Sequence, residues 1–205
     1  MKRYVFEYDL PDDFNENINF VAIDTEAMGL NPHRDRLCVV QLKLAEKIYI
    51  VHFKKPIYTK SKNLISLLKN SKIQKIFHYA RFDMFILFKY LKVMPNSIIC
   101  TRTLSKIVRT YSDRHSLKEL CKEFLKKDLN KGEQSSDWGN EELTQSQIEY
   151  AAKDVIYLEE LYDCLWKMAV RDNKHKFSKE VFDCIKTAVL ADFYHYDIGL
   201  LLAHH

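Results

Sequence analysis

Three short runs near the N-terminus, Phe20-Val-Ala-Ile23, Leu37-Cys-Val-Val-Gln-Leu42 and Lys47-Ile-Tyr-Ile-Val-His-Phe53, are apolar or rich in β-branched and aromatic residues. Runs this short, bounded by turn formers, read as strands rather than helices. Gly29-Leu-Asn-Pro32 and Ala45-Glu46 leave room only for turns, so the three strands are neighbours. Lys75-Ile-Phe-His78 repeats the pattern once more. Between these runs, Asn63–Leu68 has the spacing of a short amphipathic helix, and Phe82–Val93 reads as an unusually apolar helix ended by Pro95. From Thr101 onward the period is helical. Ser116-Leu-Lys-Glu119 and Thr144-Gln-Ser-Gln147 are capping-box signatures that start two helices. Lys126–Gly139 is polar and irregular, a loop. A last helix near Phe177–Tyr194 leads into an apolar tail, Ile198–Ala203. Strands first and helices later predict a single α/β domain over residues 1–205, with a C-terminal helical segment at about 177–203.

Composition narrows the function classes. Hydrophobic residues make up 47% and charged residues 29%, the balance of a globular protein able to bury a core. No apolar run approaches the roughly 20 residues that span a bilayer. The opening MKRYVFEYDLPDD turns acidic before a leader's apolar region can form, so the expected location is the cytoplasm. The five cysteines are scattered, without a CxxC pair, and read as small buried hydrophobes rather than zinc ligands. The net charge of +4 is compatible with a phosphate-rich partner but too mild to demonstrate one.

Four acids stand out. Asp24 and Glu26, at the end of the first run, are two apart on a strand and point to one side. They serve either as solvated turn acids or as a pair neutralised by a cation. Asp83 opens the apolar helix after Lys75–His78, as a helix-capping residue or as a functional acid. Tyr150, Asp154, Leu158, Leu161 and Leu165 share one helical face. An Asp on that core-facing stripe must be ion-paired, protonated or bound to metal, because burying a bare charge costs several kcal/mol. Carboxylates without nearby His or Cys ligands suit magnesium or manganese, and two such ions support phosphodiester cleavage.

The spacing of these residues resembles a known family. Ile23-Asp24-Thr25-Glu26, Phe77-His-Tyr-Ala-Arg-Phe-Asp83 and Tyr150-Ala-Ala-Lys-Asp154 are similar to the three motifs of the DEDD exonuclease superfamily. Tyr four residues before the last Asp, with Glu149 where the other subtype has His, matches the tyrosine subtype. Lys131 and Ser136-Asp-Trp138 look like the segment before the third motif in ribonuclease D. Gly29–Leu42, Met94-Pro95, Thr110–His115 and Gln134–Trp138 resemble the short nanoRNase C proteins, described as diribonucleases that assemble as homo-octamers. The chain ends soon after the third motif, as in those short forms.

The resemblance implies a ribonuclease H-like fold, with a central mixed sheet flanked by helices, and 3′→5′ exonuclease activity on short RNA, releasing nucleoside 5′-monophosphates. Asp24, Glu26 and Asp154 would hold the metal carrying the attacking water. Asp24 would bridge to a second ion supported by Asp83, and Tyr150 would orient the water. Leu30 resembles the leucine that wedges between the two bases of a dinucleotide, with a plain turn anchor as the alternative. A cap on the 5′-phosphate is expected from the basic stretch Thr101–Arg109, within which Ser105, Lys106 and Arg109 are placed for one helix to present together, with Arg114 and His115; a solvated basic face is the alternative. His78 reads as a satisfied core histidine. The competing functions are trimming of longer RNA 3′ ends, DNA exonuclease action, and a non-catalytic nucleic-acid-binding module.

Overall fold

The computed structural model describes residues 1–14, 18–129 and 136–203. The two-residue connection Ala45-Glu46 makes the predicted hairpin, with Ala45 at a positive φ of 47°, between β3 (Leu37–Leu44) and β4 (Lys47–His52). β2 (Phe20–Ala27) pairs antiparallel with β3 on its other side. The strand extends four residues beyond Ile23, so Asp24 and Glu26 lie within it rather than at its end. β5 (Gln74–Phe77) joins parallel to β2.

Two strands escape the sequence reading. β1 (Lys2–Glu7) lies parallel to β4 at one edge, and β6 (Ile98–Cys100) lies parallel to β5 at the other. The sheet is mixed, in the order β1-β4-β3-β2-β5-β6. All eight residues of β3 are buried, so helices must cover both faces of the sheet there.

The helices are α1 (Lys62–Lys69), α2 (Ala80–Leu91), α3 (Thr101–Val108), α4 (Leu117–Leu120), α5 (Gln145–Ile156), α6 (Leu158–Arg171), α7 (His175–Phe193) and α8 (Ile198–Leu201). Both capping boxes form, at Ser116–Glu119 and Thr144–Gln147. A π-helical turn, Cys121–Leu125, continues α4. α2 starts two residues before the predicted Phe82 and stops where Lys92 turns left-handed at φ 55°. α5 packs across β2, β3 and β4, while α2 packs on α7. The helical stripe through Asp154 crosses a break at Tyr157, yet Leu158, Leu161 and Leu165 on its far side are fully buried.

Among the described residues no helix is long and apolar enough to cross a membrane. All five cysteines are free, but only Cys38, Cys100 and Cys121 are buried; Cys164 is half-buried and Cys184 is exposed. The expectation of five buried thiols fails for these last two, which face outward from their amphipathic helices. In the tail, Leu200, Leu201 and Leu202 remain exposed.

Candidate active site

Strand β2 carries Asp24 and Glu26 on one side, and α5 lays Asp154 against it. One carboxylate oxygen from each of the three lies within 4.8 Å of the other two. Asp83, in the first turn of α2, adjoins this triad. It is almost fully buried, and its Oδ1 accepts a hydrogen bond from Thr25 Oγ1 at 2.7 Å. Gln41 Nε2, on β3, donates to Asp24 Oδ2 at 2.6 Å. A register shift between Glu26 and Ala27 bends the end of β2 beside the triad. The alternatives of solvated turn acids and a salt-bridged Asp154 fail on this geometry. Among the described residues, no Lys, Arg or His nitrogen forms an ion pair with any of the four acids.

Burial raises the proton affinity of all four. Desolvation and the neighbouring acids hold Asp24 and Glu26 well above the usual carboxylate range. Burial pushes Asp83 up to about 7 despite the Thr25 hydrogen bonds. It pushes Asp154 up to about 7 as well, with hydrogen bonding from the Tyr150 hydroxyl offsetting part of the rise. Tyr150 is itself raised above the ordinary tyrosine range, by burial and then by Asp154, Glu26 and Asp24, so its phenol keeps its proton at neutral pH. Only oxygens are offered, and among the described residues the positive charge of Lys153 acts on Asp154 without forming an ion pair. This donor set fits a hard divalent cation, which would relieve the repulsion.

The acids line one side of a cleft of about 880 Å³ that also takes in Leu30, Tyr79, Phe82, Arg102, Ser116 and Lys118. A second cavity of about 560 Å³ adjoins it, sharing Leu30, Tyr79 and Phe82 and lined further by His33, Arg81 and His195. Leu30 sits at the mouth of both and is 81% exposed. Its turn is tight, because Asp35 Oδ2 accepts from Asn31 N and a Cβ at Gly29 would run into the Asp35 carboxylate. Trp138 is buried and its ring lies 6.0 Å from that of Tyr150. Lys131 and Gln134, expected near this segment, lie outside the described residues, as does the His204-His205 end.

The predicted basic cluster is not presented as expected. Ser105 and Arg109 are buried, with Arg109 bonded to Ser105 Oγ and paired with Glu123 at 2.5 Å. His115 is buried as well, its Nδ1 2.8 Å from Ser105 Oγ. Lys106 and Arg114 point to solvent. The spacing was compatible with one helical face, but α3 turns that face inward, where the guanidinium ties the following loop together. None of the five lines the cleft.

Arg102, Lys118, Ser116 and Tyr79 stand there instead, with the Arg102 guanidinium 5.0 Å from the exposed Tyr79 ring. A cation in the first turn of a helix opposes the helix dipole, and Arg102 lies within the basic stretch Thr101–Arg109 from which a phosphate cap is expected. His78 also reaches the cleft. Its Nδ1 lies 2.9 Å from Thr101 Oγ1, but its Nε2 finds no partner among the described residues, so the expectation of a satisfied core histidine holds for one nitrogen only. Burial lowers it to about 3, which keeps the ring neutral.

A family model of 3′-5′ exonucleases matches residues 3–169. The chain belongs to this family. The exonuclease is 28% identical over 162 residues to ribonuclease D of Haemophilus influenzae, a match that covers 75% of this chain and 40% of that protein. The chain thus spans well under half the length of such relatives. Among solved structures, Brucella melitensis NrnC bound to pGG has a TM-score of 0.92 and 42% identity, over 100% of both chains. Brucella melitensis NrnC with bound Mg2+ gives 0.91 and 41%, again over 100% of both. These likenesses place the chain in the DEDD, ribonuclease D-like family with the ribonuclease H-like fold, closely similar to NrnC.

Proposed function

We propose that the protein is a diribonuclease, hydrolysing very short RNA, dinucleotides foremost, from the 3′ end to nucleoside 5′-monophosphates. The observation that carries this reading is the end-to-end likeness to NrnC bound to pGG, combined with a closed set of acids in a cleft.

Asp24, Glu26, Asp83 and Asp154 would hold two divalent ions, Mg2+ or Mn2+. Such ions lower the pKa of a water and stabilise the charge on the departing oxygen. Tyr150, which keeps its proton, orients the water through its hydroxyl rather than removing a proton from it. The Thr25 bond fixes Asp83 beside the triad. Leu30, exposed between the two cavities, separates the bases. Arg102, Lys118 and Ser116 supply the phosphate contacts, in place of Ser105, Lys106, Arg109, Arg114 and His115, because they face the cleft and those five do not.

The exposed strip Leu200–Leu202, with Tyr194 and Tyr196, favours assembly into a homo-oligomer, an octamer by the resemblance to the nanoRNase C proteins. The adjoining second cavity favours a broader reading as well: trimming of longer RNA or of DNA, as the ribonuclease D and DNA polymerase I relatives suggest.

Incubation with 5′-labelled RNAs of graded length, and with duplex DNA, separates the two. A steep preference for the dinucleotide is expected. Equal rates on every length would overturn the dinucleotide reading and leave the exonuclease intact.

A further inference from the structure

In the register of the sheet, Gln41 lies directly opposite Asp24. Residues so paired across an antiparallel ladder have their side chains on the same face, within reach of each other. The pairing is realised as a short hydrogen bond from Gln41 Nε2 to Asp24 Oδ2. Gln41 is fully buried, among Val39, Val40 and Leu42 of the same strand, and its Oε1 has no hydrogen-bond partner among the described residues. An unpaired buried carbonyl is a cost to the fold that an apolar residue of the same size would avoid. Stability alone does not account for a glutamine here.

What the amide does provide is a donor aimed at one oxygen of the acid on which the triad turns. Asp24 stands among three other acids that repel it, and no lysine or arginine is near enough to hold it. A carboxylate in that setting swings away from its neighbours unless something fixes it. We propose that Gln41 is a positioning residue: its amide fixes the Asp24 carboxylate so that the triad is assembled before a divalent cation arrives. This rests on reading Asp24, Glu26 and Asp154 as the cation site. It adds a residue outside the acidic motifs, acting through Asp24 and touching neither substrate nor ion.

The consequence is an opposition between stability and function. Gln41→Met keeps the side-chain volume and removes both amide atoms. The metal-free variant is expected to melt at the same temperature as the parent or higher. Its affinity for Mn2+ by titration calorimetry is expected to fall by about tenfold, the lower end of effects seen when a partner of a metal ligand is removed. At saturating Mn2+, kcat should fall while KM for an RNA dinucleotide is unchanged. Gln41→Glu, which puts a further acid against Asp24, should weaken Mn2+ binding more than Gln41→Met does.

Unchanged Mn2+ affinity and kcat in a folded Gln41→Met protein would overturn the proposal. So would a loss of activity that merely follows a lowered melting temperature. The parent protein and Asp154→Asn are titrated alongside. If both bind Mn2+ alike, the cation-site reading itself has failed, an outcome distinct from failure at Gln41 alone.

Discussion

Thr25 Oγ1 donates to Asp83 Oδ1 at 2.7 Å, joining residues 58 apart in sequence. The hydroxyl sits between Asp24 and Glu26 in the chain but on the opposite side of β2, so one strand addresses the acid cluster from both sides. Thr25→Val keeps the shape and deletes this donor. Leaving Asp83 buried without it is expected to cost about 1–3 kcal/mol in denaturant unfolding and to lower the hydrolysis rate. An unchanged unfolding midpoint would show that Asp83 is held by something else.

The metal-free protein should grow less stable as pH rises. Burial lifts the Asp83 and Asp154 carboxyls to about 7, from ordinary values near 4, and Asp24 and Glu26 move the same way. The native state therefore binds these protons more tightly than the unfolded chain. That stabilisation is complete below about pH 4 and is lost as pH rises through about 7. Calorimetry in chelator is expected to give a higher melting temperature near pH 5.5 than near pH 8, with added Mg2+ restoring much of the loss at the higher pH. A melting temperature that climbs steadily from pH 5.5 to pH 8 in chelator would contradict the description of the acids.

Arg109 and Lys106 should behave oppositely. Arg109 is buried and bonded to Ser105, Glu123 and the Arg114 carbonyl, while Glu123 itself is 44% exposed, so Arg109→Ala is expected to destabilise by about 1–3 kcal/mol. Lys106 is exposed, and Lys106→Ala is expected to stay within about 0.5 kcal/mol of the parent, with KM unchanged. A raised KM in a stable Lys106→Ala protein would return that lysine to the substrate.

Leu30 offers a separation of binding from folding. At 81% exposure its side chain contributes little to the core. Leu30→Ala should leave stability within about 0.5 kcal/mol and raise KM for a dinucleotide more than it lowers kcat. An unaltered KM would reduce Leu30 to a turn residue.

Strand alternation and helical spacing show only that Asp24 and Glu26 share a side and that Asp154 lies on the Leu158–Leu161–Leu165 stripe; that these acids and Asp83 belong to one site came from the resemblance of their three motifs to the DEDD exonucleases. β1 was not legible, since an edge strand such as Lys2–Glu7 keeps much of its surface exposed and lacks an apolar run. β6 is only three residues long. The inward placement of Ser105, Arg109 and His115 was not legible, because periodicity says that residues share a face, not whether that face looks outward. Gln41 depends on a partner distant in sequence, Asp24, which only the fold brings to it.

Hydrolysis is proposed to depend on one divalent-cation site formed by Asp24, Glu26 and Asp154. The most direct test is Mn2+ titration calorimetry of the parent and Asp154→Asn, with hydrolysis of a 5′-labelled RNA dinucleotide followed on the same samples. Saturable binding and turnover in the parent, with both lost in a variant that still melts cooperatively, is the predicted result. Turnover that survives excess chelator, or an Asp154→Asn protein that binds and cleaves like the parent, would contradict it.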